Sequence, residues 1–246
     1  MAGLTLLQLF FFCCIVVLSY SIRGSAGFGG ATVPLLTLVL SLKIVVPVVT
    51  VLGLISSWSI LARDSRHIAW GPLLRIAPWS LLGALAGLYF FAVLDAHTLE
   101  RWLGVLVIVY GTYSLWRTFH PARGASAHVR FVMPVMGTAA GFVGTLFGAM
   151  AGIFYAMYFD MMRFAKSEFR ASVAAVLFGL GIVRGTGYFV VGAITHDALV
   201  ACAAALPLMG IGTWLGHRIH ANLEPLAFRR FVALVLALSG VPLLYR

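Results

Sequence analysis

The sequence predicts an all-α polytopic membrane protein with two inverted repeats of about five transmembrane segments each and with short or broken glycine-rich helices. Three observations predict this fold: the apolar composition, the one-sided distribution of the basic residues, and a register in which the two halves match. Of the 246 residues, 62% are hydrophobic and 10% are charged. Because soluble domains carry about 25% charged residues, this chain could not cover a water-facing surface.

Ten apolar segments follow one another along the chain. A spanning helix needs about 20 apolar residues, and eight of the segments come close to that length. Segments 27–41 and 148–162 are shorter, and the sequence leaves open whether they cross the bilayer or re-enter it. No Lys or Arg precedes the first segment, so we expect a retained span rather than a cleaved signal peptide. The ten segments are 4–22, 27–41, 44–62, 72–94, 99–117, 131–147, 148–162, 171–194, 198–216 and 226–245.

The basic residues lie mostly on one side of the membrane if all ten segments cross it. Thirteen of the seventeen Lys and Arg residues fall in loops that share that side, and such an excess marks the cytoplasmic side. We therefore expect a multi-pass protein of the cell inner membrane with both termini outside the cytoplasm. Orientation also explains most of the net charge of +10, so no nucleic-acid partner is expected. The thirteen residues are Arg23, Arg63, Arg66, Arg75, Arg117, Arg123, Arg130, Arg163, Lys166, Arg170, Arg218, Arg229 and Arg230.

The two halves of the chain match at a constant offset of 129 residues. An odd number of segments per repeat makes the second half enter the membrane from the opposite side, which is the inverted-repeat architecture of secondary transporters. We expect a first transmembrane repeat over residues 1–118, a polar linker over 119–130 and a second repeat over 131–246. The matched pairs are Pro78/Pro207, Gly83/Gly212, Gly87/Gly216, Leu94/Leu223, Asp95/Glu224, Arg101/Arg230, Trp102/Phe231 and Gly111/Gly240.

Glycine-rich stretches stand at the start of both short segments. A helix that begins there inside the membrane would present unpaired N–H groups and the positive end of its dipole, which favour an anion. We therefore predict that these residues line a substrate site: Gly27, Phe28, Gly29, Gly30 and Gly148. The alternative is close helix packing, because small residues four positions apart let helices approach. That alternative is favoured for Gly83, Gly87, Gly212 and Gly216.

One arginine, Arg184, lies well inside an apolar segment. An arginine at the centre of a spanning helix costs at least about 2.5–3.5 kcal/mol, and such residues usually mark a substrate path. Because its planar fork suits oxyanions, we predict that Arg184 binds an anionic substrate, with Ser56 and Ser57 as further lining residues. The alternative is a structural arginine that pairs with backbone carbonyls or with Asp160, and serines that bond to their own helix.

No pattern in the chain indicates catalysis or a metal. All seven Asp and Glu residues lie in loops or near segment ends, so a cation transporter is disfavoured. The histidines form no pair at metal-ligand spacing, and no phosphate-binding loop is present. The three cysteines, Cys13, Cys14 and Cys202, lie in apolar stretches. We therefore expect no catalytic residue, no metal, no cofactor and no enzymatic activity.

These same motifs resemble the TauE/SafE sulfite exporter family over essentially the whole chain. The resemblance implies a permease for small anions, such as sulfite or organosulfonates, that acts by alternating access. In the first half the similar stretches are Gly27-Phe28-Gly29-Gly30, Val33-Pro34-Leu35-Leu36 and Arg66-His67-Ile68. In the second half they are Leu146-Phe147-Gly148, Lys166-Ser167-Glu168-Phe169-Arg170-Ala171-Ser172, Val183-Arg184 and Gly187-Tyr188.

The expected function is thus a secondary transporter for a small anion. Two alternatives stay open: a membrane subunit or scaffold without transport activity, and a transporter of another small solute such as a carboxylate. The expected partners are a small anionic substrate and the lipid bilayer, and the sequence leaves a homodimer open.

Overall fold

The computed structural model describes residues 6–26, 32–119, 129–148, 150–162, 164–219 and 239–243. These ranges consist of α-helices joined by short turns, in the order of the predicted segments. The helices are α1 (Leu6–Ala26), α2 (Thr32–Leu36), α3 (Leu42–Asp64), α4 (Trp70–Val93), α5 (Ala96–Phe119), α6 (Val129–Phe147), α7 (Ala151–Asp160), α8 (Lys166–Val190) and α9 (His196–Ile219). Residues 239–243 are also helical, while most of the predicted linker and of segment 226–245 lies outside the described residues.

Four of the described helices are long and apolar enough to cross a bilayer, namely α3, α4, α8 and α9. α1 and α6 contain the shorter apolar stretches Leu7–Ser21 and Val132–Phe147, and the 24 residues of α5 cover the predicted segment 99–117. α8 both begins and ends earlier than its predicted segment 171–194. An all-helical, multi-pass membrane protein is therefore confirmed for the described part of the chain.

Each of the two predicted short segments contains a short helix. α2 has five residues and α7 has ten. At a rise of 1.5 Å per residue, α7 is about 15 Å long, half of the roughly 30 Å hydrocarbon core, so neither helix crosses the bilayer by itself. The chain breaks before α7 at Gly148 and Met150, whose φ angles of 68° and 70° lie in the left-handed region that L-residues avoid.

Glycines bring two pairs of helices close together. α4 packs on α6, and the backbone of Gly83 faces the carbonyl of Thr138 with no room for a side chain between them. α1 packs on α9 in the same way, since a methyl group on Gly212 would lie 2.5 Å from the carbonyl oxygen of Val17. The packing interpretation is thus confirmed for Gly83 and Gly212.

The helices α3 and α8 pack against each other and join the two pairs. α3 also contacts α9, and α8 also contacts α4. The side chains of Val46 and Leu52 on α3 are fully buried. A polar residue on the inner faces of α3 or α8 therefore meets protein rather than lipid.

Two carboxylates near segment ends accept bonds at helix N-termini, where backbone N–H groups lack intrahelical partners. Asp95 precedes α5 and accepts bonds from the hydroxyl of Thr98 at 2.6 Å and its N–H at 3.1 Å. The hydroxyl bond, followed by the backbone bond, holds the pKa of Asp95 below its ordinary value. Glu100 is buried and accepts the N–H of Leu42, the first residue of α3, at 3.1 Å.

Candidate functional site

Arg184 lies on α8 and is buried inside the protein. Its side chain is 5% exposed, and its Nη1 donates a hydrogen bond to the carbonyl oxygen of Gly144 at 2.6 Å. Gly144 precedes the end of α6 at Phe147, so its carbonyl is one of the four that a helix end leaves without an intrahelical partner. A cation is also favourable at that end of the helix dipole. One nitrogen of Arg184 therefore stabilises the end of α6.

Tyr188, one turn further along α8, contacts the same end of α6. Its hydroxyl donates a hydrogen bond to the carbonyl of Thr145, and its side chain is fully buried. Residues four positions apart share a helix face, so Arg184 and Tyr188 approach α6 together. The helix end that contacts Arg184 is thus the carbonyl end of α6, whereas the sequence pointed to the amide ends of the short helices.

A second arginine, Arg23, is buried near the end of α1. Its side chain is 9% exposed. Its Nη2 donates to the carbonyl oxygen of Gly53 at 3.3 Å and to the hydroxyl of Ser57 at 3.2 Å, both on α3. The distribution of basic residues along the sequence assigns Arg23 to a cytoplasmic loop, but α1 continues to Ala26. Arg23 therefore belongs to the interior of the bundle.

The two arginines meet at Gly53. A methyl group built on Gly53 would lie 3.5 Å from Nη2 of Arg23 and 3.9 Å from Nη2 of Arg184. The distance between the two Nη2 atoms therefore cannot exceed the sum of these two distances. Gly53 is the middle residue of α3, a helix that can span the bilayer. Arg23 and Arg184, which we call the arginine pair, thus lie near the midpoint of α3 along its length.

No carboxylate among the described side chains neutralises the arginine pair. The electrostatic neighbours of Arg184 are Arg23 and the phenols of Tyr20, Tyr155 and Tyr188. The Nε atoms of both arginines and the hydroxyl of Tyr20 are buried and have no hydrogen-bond partner within the described ranges. Buried charges in proteins are normally paired, so this cluster of donors has the chemistry of an anion site.

The structure brings some of the predicted site residues together and separates others. Ser57 bonds to Arg23, while the neighbouring Ser56 is buried and makes no hydrogen bond to either arginine among the described residues. Gly148 packs on Val46 of α3, where a methyl group would lie 3.2 Å from Val46 Cα. Val46 is about 10 Å along the helix from Gly53. The remaining predicted residues, Gly27, Phe28, Gly29 and Gly30, lie outside the described part of the chain, as does the side chain of Asp160.

Arg23 and Tyr20 are not among the residues that the sequence predicted for the site. One signal could have indicated Arg23: it is alone in its loop, whereas every other loop assigned to the cytoplasmic side carries three basic residues. Orientation alone therefore explains Arg23 less well than the others. Tyr20 lies in an apolar segment where nothing distinguishes a phenol that faces the arginines from one that faces lipid.

The sequence profile described as Sulfite exporter TauE/SafE matches residues 11–243. The chain belongs to the TauE/SafE sulfite exporter family. A relative of this TauE/SafE protein is the probable inner membrane transporter protein TsaS of Comamonas testosteroni, which is 28% identical over 180 residues, or 72% of this chain and 73% of the relative. No solved structure matches the chain. Family and relative together indicate a membrane transporter rather than an enzyme.

Proposed function

We propose that this protein is an inner-membrane secondary transporter that moves a small anion, such as sulfite or an organosulfonate, by alternating access. The observation that carries the proposal is the buried Arg184, which has one hydrogen bond from Nη1 and no described carboxylate beside it. Ionisable residues within membrane-spanning segments usually face a substrate path. A guanidinium offers donors in a planar fork that matches the oxygens of a sulfonate or sulfite group.

The pattern of helix contacts supports two inverted repeats. In this proposal α1, α3 and α4 correspond to α6, α8 and α9. If the corresponding helices are exchanged, the α4–α6 contact becomes the α9–α1 contact. The α3–α9 contact becomes the α8–α4 contact in the same way, and the α3–α8 contact stays as it is. All five of these contacts are present. The short helices α2 and α7 also correspond. Such an exchange is expected of two halves that rock about a site between them.

The arginine pair lies where these halves would meet. Arg23 and Gly53 belong to the proposed first repeat, residues 1–118, and Arg184 belongs to the proposed second repeat, residues 131–246. Anions would then be bound between the repeats, near half the depth of α3. Both termini are placed outside the cytoplasm in this proposal, which takes segments 27–41 and 148–162 each to complete one crossing and the loops rich in Lys and Arg to face inward.

One observation favours the second candidate, a membrane subunit without transport activity. The bond from Arg184 to Gly144 is the backbone pairing expected of a structural arginine. That role leaves the Nε of Arg184 without a described partner, and it does not account for a second buried arginine nearby. The transporter is therefore the function that the site supports better.

Proteoliposomes that contain the purified protein test this proposal. We expect saturable uptake of at least one of sulfite, thiosulfate, sulfoacetate and a carboxylate, measured with and without a proton gradient. Empty liposomes and liposomes with the Arg184→Gln variant are the controls. If the wild-type protein moves none of these anions under either condition, the proposal is overturned and the subunit candidate is preferred.

A further inference from the structure

The arginine pair has more positive charge than a singly charged anion can neutralise. Arg23 and Arg184 are both buried beside Gly53, and no described carboxylate lies next to them. Each guanidinium loses its hydration there, and the two repel each other. A buried charge that lacks a partner is strongly unfavourable. A singly charged anion would neutralise one guanidinium and leave the other without a counter-charge.

The unpartnered polar atoms of this cluster are donors or can act as donors. The Nε groups of Arg23 and Arg184 can only donate, and the buried hydroxyl of Tyr20 is free to do so. Tyr20 and Arg23 lie on α1, while Arg184 lies on α8, so these donors come from two different helices. Hydrogen bonds between charged donors and oxyanions are about twice as strong as neutral ones.

We propose that Arg23 and Arg184 together bind one small anion that carries two negative charges, with the Tyr20 hydroxyl as a further donor. This inference rests on the proposed anion transport and adds the substrate's charge and a second arginine. A doubly charged anion neutralises both guanidinium groups at once, whereas a singly charged anion leaves one of them buried without a partner. The site therefore selects between anions of similar size by their charge.

Two sulfonates of similar size and different charge test the selectivity. Sulfoacetate carries two negative charges and 2-hydroxyethanesulfonate carries one. In wild-type proteoliposomes we expect sulfoacetate to compete for transport at least about tenfold better than 2-hydroxyethanesulfonate, the difference expected from one further charged hydrogen-bonding partner. Arg23→Gln should remove most of this preference, because one arginine is left to bind the anion. The variant should weaken competition by sulfoacetate more than competition by 2-hydroxyethanesulfonate.

A second variant changes the space between the arginines without changing their charge. A methyl group in Gly53→Ala lies 3.5 to 3.9 Å from the guanidinium nitrogens, which is ordinary contact, so the helix tolerates it. It takes up space beside both guanidinium groups, and we expect it to weaken sulfoacetate competition. The matched control is Gly179→Ala on α8, where a methyl group meets nothing within 4 Å.

The outcomes separate this inference from the proposed function. If wild-type protein transports both sulfonates equally well, or if Arg23→Gln lowers both by the same factor, the charge selectivity is refuted while anion transport stands. If no anion is transported, thermal stabilisation of the purified protein by the two sulfonates decides: a preference for sulfoacetate that Arg23→Gln removes keeps the binding site without the transport function. Equal or absent stabilisation by both overturns the site.

Discussion

The guanidinium of Arg184 and the carbonyl oxygen of Gly144 are 2.6 Å apart. This bond joins α8 to the end of α6, where the chain breaks before α7. The Nη2 atom of the same guanidinium lies near Gly53, beside Arg23. Arg184 thus has a structural contact on one side and the candidate anion site on the other, and substitutions must be chosen to distinguish the two.

Arg184→Gln is expected to abolish anion transport while the protein still folds. Glutamine is shorter than arginine and loses the bond to the Gly144 carbonyl, but removing one of two repelling buried charges offsets part of that loss. Arg184→Lys keeps the charge without the fork, so we expect partial transport. Uptake into proteoliposomes measures both variants. Arg101→Gln, at an exposed position on α5, is the control, and unchanged transport in Arg184→Gln would refute the assigned role.

Tyr188→Phe should destabilise the protein by about 1–3 kcal/mol, because it leaves the buried carbonyl of Thr145 without the tyrosine donor. The ring contact of Tyr188 with Phe91 is kept by phenylalanine. Thermal or denaturant unfolding in detergent measures the change. Tyr89→Phe is the matched control, since Tyr89 is 65% exposed. Equal stability of the two variants would contradict a role for the Tyr188 hydroxyl at the end of α6.

Gly212→Ala should destabilise the contact between α1 and α9 by about 1–3 kcal/mol, the usual cost of overpacking. Its methyl group would lie 2.5 Å from the carbonyl oxygen of Val17, and backbone cannot move aside as a side chain can. Gly210→Ala on the same helix meets nothing within 4 Å and should be neutral or slightly stabilising. Unfolding curves of the two variants that coincide would show that α9 does not approach α1 this closely.

Glu100→Ala should lower stability by about 1–3 kcal/mol, because the N–H of Leu42 loses its acceptor at the buried start of α3. Glu100→Gln keeps an acceptor oxygen in the same place and should lose less. Denaturant unfolding of the purified variants compares the two. An alanine variant as stable as the glutamine variant would mean that another acceptor replaces the carboxylate.

Membrane orientation is testable with single cysteines in a background that lacks Cys13, Cys14 and Cys202. Ser65 follows α3 and His97 lies at the start of α5, and both are exposed. With the basic loops inside, an impermeant thiol reagent added to whole cells should label His97→Cys and spare Ser65→Cys until the membrane is opened. The reverse pattern of labelling would invert the proposed topology.

Several parts of the fold could be predicted from the sequence because they are local properties. A long apolar run predicts a helix: the helices α1 to α9 overlap the first nine predicted segments, and the helical residues 239–243 fall in the tenth. The two short segments were recognised by their length, and the close packing of Gly83 and Gly212 by four-residue spacing. Helix ends were less predictable: α8 ends before residue 194 because the chain turns at Gly192, where φ is 70°.

The sequence by itself determined the membrane class, the order of the helices and the unusual position of Arg184 inside an apolar run, since the cost of a charge there can be estimated without knowing its neighbours. Only the tertiary structure decided that Arg23 and Arg184 both lie beside Gly53. Arg23 and Gly53 are 30 residues apart, and no local pattern records which faces of α1, α3 and α8 meet. Burial depends on those contacts. Because α1, α3 and α8 meet there, Arg23 near the end of α1 is buried beside a second arginine instead of exposed to water.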